Sequence, residues 1–376
     1  MKKIFIMIDS LGCGGAEKSL ISLLPFLAER NYHITLCLQS RGGAFEKYVP
    51  SNVTVIDFPF TPHILHKFIY SASLRCPFSK RSHSAEKYWK HIGQFYPNLR
   101  EEYDIAIAYQ QGFPTYFIGE KVKAKKKFCW INADLKSVGY SSKFCAPFYK
   151  KYDKIVAVSD ILKDKILVPD YIESGDKIIT CWDILNTDLI LKMSGEFSPY
   201  RTQDTLKICS VGRLVKLKGF DLALDSAAIL KKKGINFNWY IVGGGEQYNH
   251  LKEKIELLQL KDSVFLEGEQ ANPYPYIAGC DIYVQTSLNE GFGITIGEAK
   301  ILRKPIVSTN FPVVFNQLKD KINGIIVNKS PEAIATGIES IINDPSLCES
   351  LVNALYLEHN NTSVTESKKI IELIEN

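Results

Sequence analysis

No apolar run in the 376 residues reaches the roughly 18 needed to cross a bilayer, and no repeat, low-complexity tract or heptad array is visible. The nine cysteines are odd in number and scattered, with no C-x-x-C pair. That argues against a disulfide framework or a cysteine zinc site and fits a reducing cytoplasm. All seven histidines are dispersed, so none suggests a metal cluster or a catalytic triad. Excess charge is also scarce: 46 basic against 41 acidic residues leave +5, too little to mark a nucleic-acid binder. What remains is an ordinary globular composition, 45% apolar and 23% charged, long enough for two buried cores. The N-terminus has a charged start and a short apolar run, but Asp9 interrupts it and no small-residue cleavage site follows. It reads as a buried first strand, not a signal peptide.

Short β-rich apolar runs alternate with helical patterns from end to end. The runs are 3–8, 34–38, 53–58, 104–109, 127–131 and 154–158, then 206–211, 237–242, 264–267, 282–285, 305–308 and 324–327. Most are continuous, as strands buried on both faces should be. Between them lie helix patterns such as 16–29, 220–233, 246–258 and 331–343. The fold class is therefore α/β: two Rossmann-like, doubly wound domains facing a central cleft, with ligands at the carboxyl ends of the strands. Periodicity fails near 190–205. The expected division is a domain over 1–190, a second over 205–364, and a C-terminal helix over 365–376.

Three strand ends in the second half carry polar chemistry. Ser210–Phe220 ends a strand at Gly212 and sets Arg213 and Lys218 five residues apart before a helix. A diphosphate suits them, Arg as a bidentate fork and Lys as a point charge; two solvated loop cations is the plain alternative. Gly243 opens the Gly-rich turn Gly243-Gly244-Gly245-Glu246, a kind of turn that also serves plain chain reversal. Ser287–Lys300 holds Glu290, Gly291, Gly293 and Glu298, where glycines and helix-start amides offer an anion site. Spacing alone leaves open whether the two glutamates bind a ligand or flank a common turn.

In this order, the G-R-L-x(3)-K-G segment, the G-G-G-E turn and the E-G-F-G-x(4)-E element resemble the retaining glycosyltransferases of family 4, which have the GT-B fold. Their two glutamates are separated by seven residues, as Glu290 and Glu298 are. The likeness runs to Asn323–Val327 and covers essentially the second half. It implies that Arg213 and Lys218 hold the donor's diphosphate and stabilise charge on the leaving nucleotide. Amides near Gly293, Ile294 and Thr295 would help hold those phosphates. Glu298 would accept from the ribose hydroxyls and Glu290 from hydroxyls of the transferred sugar. It also implies no metal and no cofactor beyond the nucleotide-sugar substrate, with uridine diphosphate favoured.

In the first half, Asp9–Lys18 is a glycine turn after the first strand, with Gly14 and Gly15 placed for a backbone approach to phosphate. No acidic residue ends the second strand (Leu38-Gln39-Ser40), which argues against a dehydrogenase. The G-G-A-E turn again resembles family 4. Asn132 stands where relatives often carry a histidine that helps hold the donor sugar; asparagine can hydrogen-bond but carries no proton or positive charge. Asp134 suits an acceptor hydroxyl or a turn cap, and Ser159 an acceptor contact or a helix N-cap. Basic and aromatic residues mix through 58–96, including Lys80-Arg81 and Lys87–Lys90, and Lys121–Lys127 adds a second basic cluster. Such a mixture suits an anionic membrane surface or a plain solvated face. The resemblance extends these to a cytoplasmic enzyme at the inner membrane face, with a glycan or polyprenyl-linked acceptor in surface polysaccharide assembly. The alternatives are a non-catalytic GT-B partner subunit and a GT-B sugar-nucleotide epimerase.

Overall fold

The computed structural model describes residues 1–75, 83–166, 172, 175–200, 205–358 and 362–376; Lys80 and Arg81 lie outside them. The chain divides into two compact units, Met1–Ile184 with Thr362–Asn376, and Leu185–Asn361.

The first unit holds seven strands, β1 (Lys2–Ile8), β2 (Tyr32–Leu38), β3 (Val53–Asp57), β4 (Glu102–Ala108), β5 (Lys123–Ile131), β6 (Lys154–Ala157) and β7 (Ile178–Thr180). They form one sheet in the order β3-β2-β1-β4-β5-β6-β7, every pair parallel. The second unit holds β8 (Leu206–Val211), β9 (Phe237–Val242), β10 (Val264–Gly268), β11 (Ile282–Gln285), β12 (Ile306–Thr309) and β13 (Ile325–Val327). Their order, β10-β9-β8-β11-β12-β13, is again all parallel. Helices connect the strands, as right-handed parallel crossovers require.

Strand β7 is too short and too near the sheet edge to carry a periodic signature, and the sequence pattern passes over it. Strand β5 begins four residues before the expected 127. The cause is register: Glu102 faces Lys123 across β4–β5, and neutralised lysines can enter a strand. Lys123 bridges Glu102 at 3.2 Å and Lys125 bridges Asp104 at 2.7 Å, while Lys126 reaches the carbonyl of Asn376. The expected basic cluster is thus largely a set of paired strand lysines. Lys127 is half-buried, and that burial lowers its pKa.

The last helix, Thr362–Glu375, docks on the first unit. Lys2 Nζ donates to the carbonyls of Ile374 (2.8 Å) and Glu375 (3.0 Å), satisfying acceptors that a helix C-terminus leaves open. Tyr32 donates to the Glu375 carboxylate at 3.0 Å, and Glu366 Oε2 accepts from the Trp182 amide at 3.0 Å. Ile370, Ile371 and Ile374 are buried. Ile370→Ala should therefore destabilise the first unit by about 2–4 kcal/mol, seen as a lower melting temperature in calorimetry; a thermogram superimposable on wild type would refute the docking.

Candidate active site

The order β9-β8-β11-β12 makes the loops after these strands neighbours at one carboxyl edge of the second sheet. All three polar segments of the second half lie in those loops. Hydrogen bonds tie them together. Thr286 Oγ1 donates to the Lys218 carbonyl at 3.0 Å, the Leu288 amide to the Leu217 carbonyl at 2.8 Å, and Thr309 Oγ1 to the Ser287 carbonyl at 2.6 Å. Two glycines are demanded by the backbone itself. At Gly243, φ is 152° and a Cβ would lie 1.9 Å from the Gly212 carbonyl oxygen. At Gly219, φ is 65° and a Cβ would lie 2.2 Å from the Thr286 carbonyl oxygen. The glycines after β8 and β9 thus serve the crossing of two chain segments.

Glu290 stands at the centre of this edge. Its Oε1 accepts from Lys218 Nζ at 2.6 Å, Ser287 Oγ at 2.6 Å and Gln285 Nε2 at 2.9 Å. The side chains of Lys218 and Glu290 keep only 18% and 11% of their surface in solvent, so this is a shielded charge pair. Arg213 is exposed, and no ion pair among the described residues involves it. Gly293 adopts a left-handed conformation (φ 87°) at the N-cap of the helix Ile294–Ile301. Buried Gln317 fixes that turn, donating to the carbonyls of Phe292 (2.6 Å) and Gly293 (3.2 Å). Thr295 turns its hydroxyl inward to Gln285 Oε1 at 3.0 Å. Glu298 is fully buried, and its Oε1 accepts from the hydroxyl of Tyr274 at 3.2 Å. Gln285, Gln317 and Tyr274 escape the sequence reading; a glutamine closing the apolar run 282–285 is the one visible signal.

In the first unit, Gly14 is the N-cap of the helix Gly15–Ala28, and the Glu17 carboxylate packs so closely that a Cβ on Gly14 would lie 2.3 Å from it. Asn132 Nδ2 donates to the Tyr109 carbonyl at 3.2 Å, and its amide donates to Gln111 Oε1 at 2.9 Å. Asn132 Oδ1 is buried with no hydrogen bond among the described residues. Asp134 pairs with Lys165 at 2.9 Å and takes the Ser137 amide at 3.3 Å. Burial works to raise its pKa, but Lys165 and the backbone amides of Ser137 and Lys136 outweigh burial and leave it below the usual value. Ser159 is fully buried, and its Oγ accepts the Leu162 amide at 3.2 Å, which is the N-cap role.

Two carboxyls of this unit titrate near neutrality. Burial, then the nearby Glu17, pushes Asp9 up to about 7. Burial alone pushes Asp183 up to about 7, against a hydrogen bond from Ser19. Among the described residues no three His, Cys, Asp or Glu side chains are placed to share a metal ion, and no helix is long and apolar enough to cross a membrane.

Residues 196–357 match the family model described as "Glycosyl transferases group 1". The chain is 28% identical over 228 residues to the capsular polysaccharide biosynthesis glycosyltransferase CapM of Staphylococcus aureus, covering 58% of each chain. It is 30% identical over 241 residues to an uncharacterized glycosyltransferase of Methanocaldococcus jannaschii, covering 60% of this chain and 58% of that one. The alignments thus span somewhat over half the length of these relatives. Over all of both chains it superposes on the Anabaena protein HepE, solved with uridine diphosphate and glucose, with a TM-score of 0.74 and 17% identity. The paired parallel sheets with their helices are the GT-B fold.

Asp183 supplies a prediction about stability. Its raised pKa means the folded chain resists ionisation, so stability falls as pH rises from about 4, where the unfolded carboxyl ionises, through about 7. Asp183→Asn keeps the shape and removes the penalty. In denaturant unfolding the two should differ least near pH 3, and Asp183→Asn should become increasingly the more stable up to pH 8, by about 2–4 kcal/mol at the plateau. Parallel curves would contradict the assignment.

Proposed function

We propose that this chain, whose second unit carries a group 1 glycosyl transferase domain, is a retaining glycosyltransferase. It moves a sugar from a nucleotide diphosphate sugar to a hydroxyl of a glycan or lipid-linked glycan in surface polysaccharide assembly. The observation that carries the reading is the Lys218–Glu290 pair at the carboxyl edge, set among tied loops and next to the start of the helix Ile294–Ile301. Lys218 and Arg213 are assigned to the diphosphate, where they stabilise charge growing on the leaving nucleotide. Amides of Gly293, Ile294 and Thr295 are assigned to the same phosphates. Glu290 is assigned to a hydroxyl of the transferred sugar, and Glu298 to the ribose once its contact with Tyr274 rearranges. The acceptor oxygen attacks the face that the nucleotide leaves, and a leaving phosphate oxygen takes its proton. The protein's part is positioning and charge stabilisation, without a metal.

Uridine diphosphate is favoured as the nucleotide; HepE, of like fold, was solved with it. The capsule setting follows the name of CapM. The first unit is assigned to the acceptor.

A membrane surface belongs to this reading as well. The helix Ile64–Arg75 turns its apolar side outward: Ile64 is 79% exposed and Phe68 73%, with Leu65 and Ile69 on the same arc. Its other side meets the protein, His66 stacking on Phe95 and Tyr70 meeting the Tyr88 ring edge-on. Residues 58–100 carry seven Lys and Arg against one acid, Glu86, which is fully buried. Exposed apolar side chains in a stretch of sequence this rich in cations suit an anionic bilayer.

Thermal shift, sugar transfer and vesicle binding test these assignments. Uridine diphosphate should raise the melting temperature of wild type and not of Lys218→Ala, and Glu290→Ala should lose about 10²–10³-fold in transfer. EDTA should leave transfer unchanged. Product that forms without any acceptor would instead favour an epimerase, and no response to millimolar nucleoside diphosphates would favour a non-catalytic subunit. Separately, wild type should co-sediment with phosphatidylglycerol vesicles and Phe68→Glu should not; equal recovery of both in the supernatant would end the membrane assignment.

A further inference from the structure

Gln285 closes β11 after three buried residues, Ile282, Tyr283 and Val284, and is itself 4% exposed. A polar amide in that place must be fully hydrogen-bonded to be tolerated, and it is. Its Oε1 accepts from the Tyr283 hydroxyl at 2.8 Å and from Thr295 Oγ1 at 3.0 Å. Its Nε2 donates to Ser287 Oγ at 2.7 Å and to Glu290 Oε1 at 2.9 Å. The Glu290 carboxylate can only accept, so the end of the carboxamide that meets it is the nitrogen, and the hydroxyls of Tyr283 and Thr295 donate to the oxygen at the other end. Ser287 then passes its own hydroxyl hydrogen to Glu290 Oε1 at 2.6 Å.

The consequence falls on Glu290. Three donors converge on Oε1, and among the described residues no hydrogen bond reaches Oε2. A carboxylate held by Lys218 alone would swing about its terminal bond and offer either oxygen. With Gln285 and Ser287 added, one oxygen is engaged by the protein and the other is left for a ligand.

We propose that Gln285 is a positioning residue: it anchors Glu290 to the hydroxyls of Tyr283 and Thr295, so that Oε1 stays with the protein and Oε2 meets a hydroxyl of the donor sugar. This rests on the reading of Glu290 as the sugar contact. It also limits how far Glu290 draws Lys218 away from a diphosphate, because two neutral donors share the neutralisation of the carboxylate.

The test compares Gln285→Glu and Gln285→Leu with Glu290→Ala, measuring kcat and KM for the nucleotide sugar from pH 5.5 to 8.5 and uridine diphosphate binding by thermal shift. Gln285→Glu keeps the shape but sets a second carboxylate against Glu290. At pH 8 kcat/KM should fall about 10–100-fold, the scale of losing reactant alignment, while uridine diphosphate still raises the melting temperature. As pH falls and a proton bridges the two carboxylates, activity should climb back toward wild type. Gln285→Leu should stay low at every pH. A role in packing alone gives no such pH signature. Wild-type kcat/KM in a folded Gln285→Glu at pH 8, or a pH profile parallel to wild type, overturns the proposal, and Gln285→Glu decides alone where Gln285→Leu does not fold. If Glu290→Ala is itself fully active, the reading of Glu290 fails first, visibly apart from any result at Gln285.

Discussion

Glu290 is a shielded carboxylate with three donors on one oxygen, and the arrangement of the second unit follows from supplying them. Lys218 comes from the loop after β8, Gln285 from the end of β11, and Ser287 from the turn that follows it. For those groups to converge on one oxygen, β8 and β11 must be neighbours and their loops must leave the same edge, as a parallel sheet ordered β9-β8-β11-β12 dictates. The cost of shielding a carboxylate is offset by these three bonds, and the site is rigid because each donor is itself tethered.

Tethering explains the glycines better than phosphate approach does. Gly243 and Gly219 sit where another segment's carbonyl passes within a Cβ's reach, so any side chain there pushes apart loops that must meet. Pressing the loops together lets Thr286 bond the Lys218 carbonyl and fixes where the lysine stem begins. A motif of the form strand–Gly–Arg…Lys–Gly therefore records two demands, a cation on the ligand side and an absent Cβ on the chain side. Its glycines by themselves would not identify a ligand.

Much of this was legible from residue order. Continuous apolar runs foretold the strands of both sheets, and the ordered G-R-L, G-G-G-E and E-G-F-G segments foretold which strand ends meet. Three things were hidden, each for a physical reason. Strand β7 is three residues long, below the reach of any periodicity. The lysines of 121–127 read as free charge because their partners, Glu102 and Asp104, come from the neighbouring strand and meet them only through register. Gln317 acts through hydrogen bonds whose far ends lie 24 and 25 residues away, and Gln285 is anchored in part by Thr295 ten residues on, distances no local pattern encodes.

The same distinction between charge present and charge available bears on the first unit. That unit holds 28 basic against 21 acidic residues and the second 18 against 20, so the positive excess of the chain lies wholly in the first. Two of the β5 lysines are spent on β4 acids, and by sequence the stretch 58–100 carries seven of the unit's basic residues against one acid. At Asn132 the accounting is of atoms, not charges. Its Nδ2 is committed to the Tyr109 carbonyl and its backbone amide to Gln111, while Oδ1 has no bond among the described residues. A histidine could carry a positive charge there; this asparagine offers the unbonded Oδ1 and the second N–H of Nδ2. A group that meets the buried Oδ1 must bring the hydrogen, as a sugar hydroxyl does and a phosphate oxygen does not.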